Sequence, residues 1–532
     1  MNLIVRNIVL PYKSSKDEAL RIAKRNLLKF FSQYEIIKLE ISKRSVDARK
    51  KDNICFNYSV KAYIESNRVI DEKVLNNADI ITEKEAFLDL KYGSEKLNNR
   101  PIIIGFGPAG MFCAYILTLH GYKPLVIERG ADVYARKAIV DNFYKTRVFS
   151  EQSNIQYGAG GAGTFSDGKL MTRINSSLSS LVIDTFYKFG APESILYEAK
   201  PHIGSDKLIN IVSGFSDYIT KNGGEILYNT KFEKFIIKND KVVGVVTDKG
   251  EFSSEVVVLA LGHSARDTIK NIRNQQMNVE AKPFSVGFRI EHNQAYMDEI
   301  NYGKAAKDGI LPHVEYSLST NTKDRGVYTF CMCPGGVVVP AMSEKKTVIT
   351  NGMSDYLRNQ TNSNSAVCCS INLRDVNNDV DTAESFISEI EKKAFILGGS
   401  DYSAPSETVG SYLKGKNNII KDIIPSYMNN GVKMTKLDSL FPDFVNDSLK
   451  KGLFDFGHKI KGFDYDYAVL TGPETRTSSP IRINRNDELQ SLKYENVYPC
   501  GEGAGYAGGI TSASIDGIKC AQKIINKFKP LQ

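Results

Sequence analysis

The sequence predicts an α/β protein in which helices cover a parallel sheet. The run Ile102–Ile104 is typical of a short buried strand, and it leads directly into the glycine-rich segment 105–110 and a helical pattern. A second strand-to-helix turn of the same kind, over residues 501–509, follows near the end of the chain. Between these turns, apolar runs bounded by glycines alternate with helical patterns, which indicates strands buried on both faces.

The strand and helix patterns of residues 1–95 predict a separate, small α+β domain with a ferredoxin-like sheet. Strand patterns cover residues 3–10, 35–41 and 54–64, and apolar residues at intervals of three and four predict a helix after the first strand. This order places the helix on one face of the sheet. A basic run, residues 43–51, lies between the later strands. It is interpreted as a solvated loop, with an RNA- or phosphate-binding patch as the alternative.

Composition excludes several classes of protein. With 42% hydrophobic residues among 532, the chain is neither a long disordered segment nor a fibrous repeat. The net charge of +8 is too small to indicate a nucleic-acid partner by itself, although it does not exclude one. Residues 102–119 carry no charge, but Pro108 and its glycine neighbours predict a strand, turn and helix rather than a membrane span. No secretory signal is visible, so a cytoplasmic location is expected.

The eight cysteines give no sign of a metal site. No pair has C-x-x-C spacing, so neither a zinc site nor a thioredoxin-like redox pair is predicted, and reduced thiols are expected. The string Cys331-Met332-Cys333 leaves a redox role open as the less favoured alternative. The Asn- and Ser-rich segment 359–365 is interpreted as an exposed loop.

Segment 105–110 has the residue types that a dinucleotide-binding turn requires. Gly105 permits a tight turn, Gly107 lets the backbone approach a pyrophosphate, and Gly110 lets the helix pack closely on the strand. Pro108 and Ala109 lie at the helix start, where unpaired N–H groups and a partial positive charge attract phosphates.

Glu128 follows the next predicted strand, at the distance where a carboxylate accepts hydrogen bonds from ribose hydroxyls. It would repel a phosphate at the 2′ position, so a cofactor without one is favoured. Arg129, the next residue, is assigned to the same site.

The turn over residues 501–509 favours FAD over NAD. In flavin-binding proteins such a turn presents an acidic side chain to the ribityl chain and a helix N-terminus to the flavin. The residues assigned to it are Gly501, Glu502, Gly509, Ile510 and Thr511. A hinge without a ligand is the alternative. Strand patterns over residues 231–237, 241–246 and 256–261 form a meander that returns the chain to the nucleotide fold at Gly262.

With these motifs, the chain resembles the FAD superfamily with two dinucleotide-binding folds. More narrowly, it resembles an uncharacterised bacterial FAD-dependent dehydrogenase family, often labelled NAD(FAD)-utilising dehydrogenase. The resemblance covers nearly the whole chain. Besides the two turns, it includes the strings at residues 44–51 (RSVDARKK), 156–169 (QYGAGGAGTFSDGK), 262–267 (GHSARD), 331–340 (CMCPGGVVVP) and 474–480 (ETRTSSP).

The resemblance implies FAD as the cofactor and a discontinuous domain arrangement. A Rossmann-like FAD domain of three-layer β/β/α character is expected over residues 100–270 and 465–532, with a mixed α+β domain inserted over residues 271–464. Glu502 departs from the superfamily, which usually has Asp at that position, so its contact with the ribityl chain must reach one methylene further.

Three side chains are the candidates for chemistry beside the cofactor. Lys169 is interpreted either as a cation near flavin N1–C2=O or as an exposed lysine, and His263 either as a proton donor or as a structural histidine. Arg476 would bind an anionic substrate group or cap a loop. The glycine-rich loop with Gly161, Gly163 and Thr164 is expected to lie along the pyrophosphate and the isoalloxazine, a simple flexible turn being the alternative.

The functional prediction is an FAD-dependent oxidoreductase of the dehydrogenase type. Hydride would pass between the flavin and an unidentified small substrate or a nicotinamide, so NADH or NADPH is left open as a partner. One alternative is an FAD-containing protein that binds RNA or modifies tRNA. A second is a non-catalytic FAD sensor that recruits a protein partner through its N-terminal domain.

Overall fold

The computed structural model describes residues 1–66, 77–83, 88–323 and 325–531. Its strands are β1 (Asn2–Pro11), β2 (Ile36–Asp47), β3 (Cys55–Ile64), β4 (Ile80–Thr82), β5 (Ile102–Ile104), β6 (Leu125–Ile127), β7 (Glu225–Leu227), β8 (Phe232–Lys238), β9 (Lys241–Thr247), β10 (Gly250–Ser253), β11 (Val257–Leu259), β12 (Val279–Ala281), β13 (Phe284–Asn293), β14 (Ser319–Thr322), β15 (Arg325–Cys333), β16 (Val337–Pro340), β17 (Thr350–Met353), β18 (Asn362–Ile371), β19 (Ala404–Thr408), β20 (Val432–Met434), β21 (Val469–Glu474), β22 (Ile481–Ile483) and β23 (Val497–Pro499). Its α-helices are α1 (Lys16–Leu27), α2 (Pro108–Leu119), α3 (Val133–Thr146), α4 (Leu178–Lys188), α5 (Ser205–Lys221), α6 (Arg266–Asn274), α7 (Gln294–Tyr302), α8 (Val380–Leu397), α9 (Val409–Lys414), α10 (Asp443–Lys459) and α11 (Ile510–Lys527).

The N-terminal sheet has the strand order β2-β3-β1-β4, and every neighbouring pair in it is antiparallel. This is the order that a ferredoxin-like sheet has, as predicted. Every second residue of β3 is buried, because one face of the strand packs under α1. The helix contributes Ala19, Ala23 and Leu27, which lie on one side at intervals of four residues.

The basic run 43–51 is only partly a loop, because residues 43–47 continue β2 and pair with β3. Arg44 can lie in the strand since its guanidinium forms an ion pair with Glu198 and stacks on Phe56 at 4.9 Å. Its backbone also exchanges hydrogen bonds with residues 197 and 199, which attaches the N-terminal sheet to the following domain. Arg49 pairs with Asp47 at 2.5 Å. These contacts give the run a docking role and lend no support to the RNA-binding alternative, which stays untested.

The predicted α/β fold class is confirmed by a five-stranded parallel sheet with the order β23-β11-β5-β6-β7. Alternate residues of its strands face opposite layers, as the strand period requires. Ile103 packs into the core formed with the helices, whereas Ile102 and Ile104 pack against the antiparallel sheet β10-β9-β8. Helices, parallel sheet and meander therefore form three layers.

The meander differs from the prediction in its third strand. That strand is β10, and the pattern at residues 256–261 corresponds to β11, which belongs to the parallel sheet. The physical reason is the turn at Gly250, whose φ of +136° folds the chain back for one more antiparallel strand.

Most of the remaining strands build a seven-stranded mixed sheet with the order β14-β15-β18-β13-β21-β19-β20, and the pairs β12-β22 and β16-β17 form two small antiparallel sheets. The strand β21 is part of the seven-stranded sheet, although it lies in the segment 465–532 that is predicted for the FAD domain. The division of the chain into domains otherwise stays a prediction. Among the described residues, no helix is both long and apolar enough to cross a membrane.

The interpretation of residues 359–365 as an exposed loop holds for residues 359–361 and is wrong for residues 362–365. Residues 362–365 are buried and begin β18, a strand with partners on both sides. The polar side chains are tolerated there because each finds a hydrogen bond: Asn362 donates to Glu291 at 3.0 Å, and Asn364 accepts from Arg289 at 3.1 Å.

Candidate functional site

A cavity of about 370 Å³ opens where three glycine-rich segments meet, residues 105–110, 158–163 and 501–509. The first and the last follow β5 and β23 at the carboxyl ends of the parallel strands, which is where open α/β sheets bind ligands. Opposite the glycine-rich segments, Phe330 and Cys331 of the seven-stranded sheet also line the cavity.

Close backbone contact between the segments explains why they contain glycine. A Cβ atom on Gly161 would lie 2.9 Å from the Cα atom of Gly107, although the two residues are far apart in sequence. A Cβ atom on Gly163 would lie 3.2 Å from the side chain of Ile510 at the start of α11. Larger residues at these positions would push the turns apart.

Most of the predicted site residues border this cavity. They are Gly105, Gly107, Pro108, Ala109, Glu128, Arg129, Gly161, Gly163, Lys169, Gly262, His263, Arg476, Glu502, Gly509 and Ile510. The other four lie behind its wall. Gly110 packs against the Gly105 carbonyl, Thr164 is buried, the Gly501 N–H donates to Asp516, and the Thr511 hydroxyl donates to Leu170 O at 2.7 Å. Assignment of all these residues to the cofactor stays a prediction.

Glu128 has a second role that the sequence pattern does not reveal. Its buried carboxylate accepts backbone hydrogen bonds from Phe106 (2.8 Å), Gly130 (2.9 Å) and Gly158 (3.0 Å). The first and third of these residues belong to two different glycine-rich segments. Glu128 therefore holds the segments together, and a carboxylate retains acceptor capacity for a ribose hydroxyl.

Arg129 is fixed by partners on three sides. It forms a bidentate ion pair with Asp267 at 3.1 Å, donates to Gln152 and stacks over the ring of Tyr157 at 4.0 Å. Burial raises the pKa of Asp267, but the ion pairs with Arg129 and Lys231 outweigh it and lower the pKa to about 2. A planar guanidinium held this way presents a rigid wall to the cavity.

The residues at the cavity fit an extended dinucleotide. A Cβ atom on Gly262, Gly508 or Gly509 would meet no other atom within 4 Å, so the cavity borders three bare backbone positions. The helices α2 and α11 both begin here without a side-chain cap, which leaves their first N–H groups for a ligand.

Three buried polar atoms at the cavity also lack partners within the described ranges of the chain. They are Gln156 Nε2, His263 Nε2 and an Nη atom of Arg476. Buried polar groups are rarely left unpaired, so these atoms indicate a polar ligand. The bare glycines and the uncapped helix starts fit FAD, and the unpaired atoms fit a polar ligand in the same cavity.

Lys169 belongs to a buried network of alternating charges. Its ammonium lies 2.6 Å from Asp167, which also receives two hydrogen bonds from Arg358, and both cations contact Glu315. Burial raises the pKa of Asp167, but the charges of Lys169 and Arg358 outweigh it and lower the pKa to about 2.

We expect the Asp167 carboxylate to contribute to stability only above its folded-state pKa. Because that pKa is depressed, the contribution is complete above about pH 4 and is lost as the pH falls towards 2. The advantage of the wild type over Asp167→Asn in free energy of unfolding should therefore shrink by about 2 kcal/mol between pH 5 and pH 2. Chemical denaturation across this pH range measures it. A constant difference would contradict the assignment.

His263 and Glu502 meet at the cavity although they are predicted from separate motifs. The Nδ1 atom of His263 lies 3.4 Å from the Glu502 carboxylate, and its Nε2 atom has no partner within the described residues. A histidine in this arrangement can hold a proton on one nitrogen and exchange it on the other.

Arg476 shares a single carboxylate with a second arginine. Glu391 accepts two hydrogen bonds from Arg266, at 2.8 and 2.9 Å, and two from Arg476, at 3.1 Å from Nε and 3.4 Å from an Nη atom. Arg266 also pairs with Glu344 at 3.3 Å, so two carboxylates face the two guanidinium groups. Burial, followed by the charge of Arg266, lowers the pKa of Arg476. The other Nη atom of Arg476 has no partner among the described residues.

Sequence reasoning missed the contribution of β15 and β17 to the cavity. Phe330 and Cys331 of β15, in the seven-stranded sheet, and Asn351 of β17, in the two-stranded β16-β17 sheet, line it. The string at residues 331–340 is part of the family resemblance, but no spacing rule predicts that it lies near the glycine-rich turns.

The cysteines near α11 do not make a convincing metal centre. Ligand atoms of Cys500, Asp516 and Cys520 lie within 4.8 Å of one another. Both oxygens of Asp516 are, however, already bound by Arg485, at 2.7 and 2.9 Å. We assign no metal to this cluster.

Comparison with known proteins identifies the class. Residues 283–477 match a family described as "FAD-dependent protein, C-terminal domain-like", and residues 1–63 match a "Domain of unknown function (DUF8436)". The glycine-rich turns and the match together define an FAD-dependent protein, as predicted. An uncharacterised protein of Clostridium beijerinckii is 40% identical over 534 residues, which cover 99% of each chain. The chain belongs to the family of that protein.

Other relatives match less of the chain or only its general shape. A D-amino acid dehydrogenase of Helicobacter pylori is 29% identical over 97 residues, 18% of this chain and 23% of that enzyme. Among solved structures, glycine oxidase from Bacillus cereus matches with a TM-score of 0.35 and 11% identity, over 81% of this chain and 99% of the oxidase. The L-proline dehydrogenase from P. horikoshii gives a TM-score of 0.32 and 12% identity, over 81% and 93% of the two chains.

Proposed function

We propose that this FAD-dependent protein is an oxidoreductase that transfers a hydride between the flavin and a small substrate whose anionic group is held by Arg476. The proposal includes membership of the bacterial NAD(FAD)-utilising dehydrogenase family that the sequence resembles. Whether NADH or NADPH completes the cycle is decided by the experiment below.

The observation that supports this function is that one cavity has two different walls. The glycine-rich turns and the N-termini of α2 and α11 form the wall that suits FAD. The other wall contains Phe330 of the seven-stranded sheet, Asn351 of the small β16-β17 sheet, and Arg476, which follows β21. A small molecule bound against this second wall would lie next to a cofactor bound against the turns, which is the proximity that a direct transfer requires.

Arg476 supports an anionic substrate because its hydrogen-bonding capacity is not fully used. One of its Nη atoms is buried without a partner in the described parts of the chain, and Arg476 lines the same cavity as Lys169. A carboxylate entering there would form a charge-assisted hydrogen bond and offset the burial of the guanidinium. The local match to enzymes named D-amino acid dehydrogenase makes amino acids a reasonable class to test first.

His263 supplies the proton exchange that such a reaction needs. Oxidation of an amine or an alcohol removes a proton together with the hydride, and a base near the cavity must accept it. The unpartnered Nε2 atom of His263 is available for this step, while Glu502 holds the opposite side of the ring. FAD, when bound, supplies the two-electron chemistry that no side chain can provide.

The test is anaerobic reduction of the purified, FAD-containing protein. It is mixed with NADH, with NADPH and with a panel of small amino and hydroxy acids that includes D-amino acids. Bleaching of the visible flavin absorbance by one of these donors supports the proposal. A protein that retains no flavin even after refolding with FAD overturns it. Bound flavin that no donor reduces would instead favour the non-catalytic sensor.

Replacement of Arg476 by glutamine tests the anionic group. We expect KM for the reducing substrate to rise roughly 30-fold, equivalent to about 2 kcal/mol, because one charge-assisted hydrogen bond is lost. The flavin content should be unchanged. Steady-state kinetics and the ratio of flavin to protein absorbance measure the two quantities. Arg273→Gln, which removes a more exposed ion pair with Asp381, is the matched control. Loss of flavin without a change in KM would place Arg476 on the cofactor.

A further inference from the structure

We propose that Cys331 and Cys333 form a redox-active dithiol pair that exchanges two electrons with the FAD of this protein. The inference rests on the proposed function for the presence of a working flavin. It assigns to the cavity a second electron carrier, which lies on the seven-stranded sheet and opposite the glycine-rich turns.

A bulge in β15 turns Cys331 towards the cavity. The strand advances by three residues, from Phe330 to Cys333, while its partner β18 advances by two, from Ala366 to Asn364. Cys331 is the extra residue and has a φ of +45°. Consecutive residues of a regular strand face opposite sides, yet both Phe330 and Cys331 line the cavity. The bulge is what allows this.

Cys333 is packed closely beside Cys331 by a hydrogen bond and by two neighbouring glycines. Its thiol donates a hydrogen bond to the Cys331 carbonyl oxygen at 3.3 Å, and only Met332 separates the two cysteines in sequence. Two glycines make room for it: a Cβ atom on Gly352 would lie 2.9 Å from the Cys333 sulfur, and one on Gly336 would lie 3.2 Å from the Cys333 Cβ atom. Cys331 is half-buried and Cys333 is fully buried, so the pair is reached from the Cys331 side.

Two cations, Arg289 and Lys169, act on Cys331, the half-buried member of the pair. Arg289 donates to the Cys331 carbonyl at 2.8 Å, although its own charge is partly offset by the buried Glu474. The neighbouring Cys333 thiol, followed by the charges of Arg289 and Lys169, outweighs burial and lowers the pKa of Cys331. The coupling to Cys331 and burial raise the pKa of Cys333, so Cys331 is the member of the pair that loses its proton first.

The redox step balances with FAD as the only other reactant. The Cys331 thiolate and the Cys333 thiol lose two electrons and one proton and form one S–S bond. The two electrons and the proton reduce FAD to its anionic two-electron form, so the net charge is the same on both sides. In the opposite direction, the reduced flavin opens the disulfide. A small thiol that enters the cavity can reach Cys331 and exchange with the pair.

The test counts the electrons that the FAD-containing protein accepts. The protein is oxidised fully, freed of oxygen and titrated with dithionite. The wild type should accept four electrons per FAD, whereas Cys331→Ser and Cys333→Ser should each accept two. Cys368→Ala, which removes a buried thiol of the neighbouring strand outside the cavity, is the matched control and should still accept four.

Alkylation provides a readout that does not depend on activity. After full oxidation, the peptide containing Cys331 and Cys333 should resist N-ethylmaleimide under denaturing conditions and should react at both sulfurs after dithiothreitol. A wild type that accepts two electrons, with both thiols alkylated after oxidation, overturns this inference and leaves the proposed function intact. A protein that never binds FAD overturns both, and the alkylation result then reports only whether the disulfide forms.

Discussion

Replacement of Gly509 by leucine is expected to weaken FAD binding at least about 100-fold, equivalent to about 2.7 kcal/mol, without unfolding the protein. Gly509 precedes α11 and has an extended backbone with φ of 171°, which any residue can adopt. A Cβ atom there would meet no protein atom within 4 Å, and the residue lines the cavity. The leucine would therefore occupy the space of the ligand rather than strain the fold. Titration of the apoprotein with FAD, followed by flavin fluorescence, measures the affinity.

Two further variants make the test of Gly509 selective. Gly509→Ala fills less of the cavity and should lose less affinity than the leucine variant. Gly326→Ala, on β15, would place its Cβ atom 3.4 Å from the Ser370 hydroxyl and away from the cavity, so FAD affinity should be unchanged. Equal FAD affinity of the leucine variant and the wild type would show that the cofactor does not pass α11 at this residue.

Replacement of Glu128 by alanine is expected to lower the free energy of unfolding of the apoprotein by about 4 kcal/mol. The carboxylate accepts three backbone hydrogen bonds, and its removal leaves three buried N–H groups without a partner. Each such group costs about 1–3 kcal/mol. FAD binding should fall as well, because the segments that the carboxylate joins form the walls of the cavity. Chemical denaturation and flavin content measure the two effects.

A neighbouring glutamate offers the control for Glu128. Glu225 begins the adjacent strand β7, is half exposed and pairs with Arg100 at 3.0 Å, so Glu225→Gln should change stability by less than about 1 kcal/mol. Glu128→Gln keeps one acceptor oxygen and should fall between the two. If Glu128→Ala were as stable as Glu225→Gln, the bonds to the backbone would not hold the segments together.

The local parts of the fold follow from sequence patterns because their physics is local. A β-branched run followed by Gly105 and Gly107 can hardly form anything except a strand, a tight turn and a helix start. The same reasoning locates the second turn and the N-terminal sheet. The polar residues 362–365 show the limit of such reasoning. Their burial depends on Glu291 and Arg289, which lie on the neighbouring strand and are about 70 residues away in sequence.

The basic run shows the same limit for charge. The sequence predicts that Arg44 is solvated, whereas in the structure it forms an ion pair with Glu198, which is 154 residues away in sequence. The cost of burying a charge depends on a partner that no local pattern reveals. For the same reason the sequence indicates Lys169 and Arg476 as candidates but does not indicate their partners Asp167 and Glu391.

The sequence by itself determined the α/β class, the three glycine-rich segments and FAD as the expected cofactor, because each depends on backbone requirements within a few consecutive residues. Only the tertiary structure decided that these segments meet in one cavity and that Glu128 joins two of them. It also decided that a bulge carries Cys331 into the cavity from the opposite side. Contacts of this kind depend on how separate strands and helices pack, and packing is set by the whole chain.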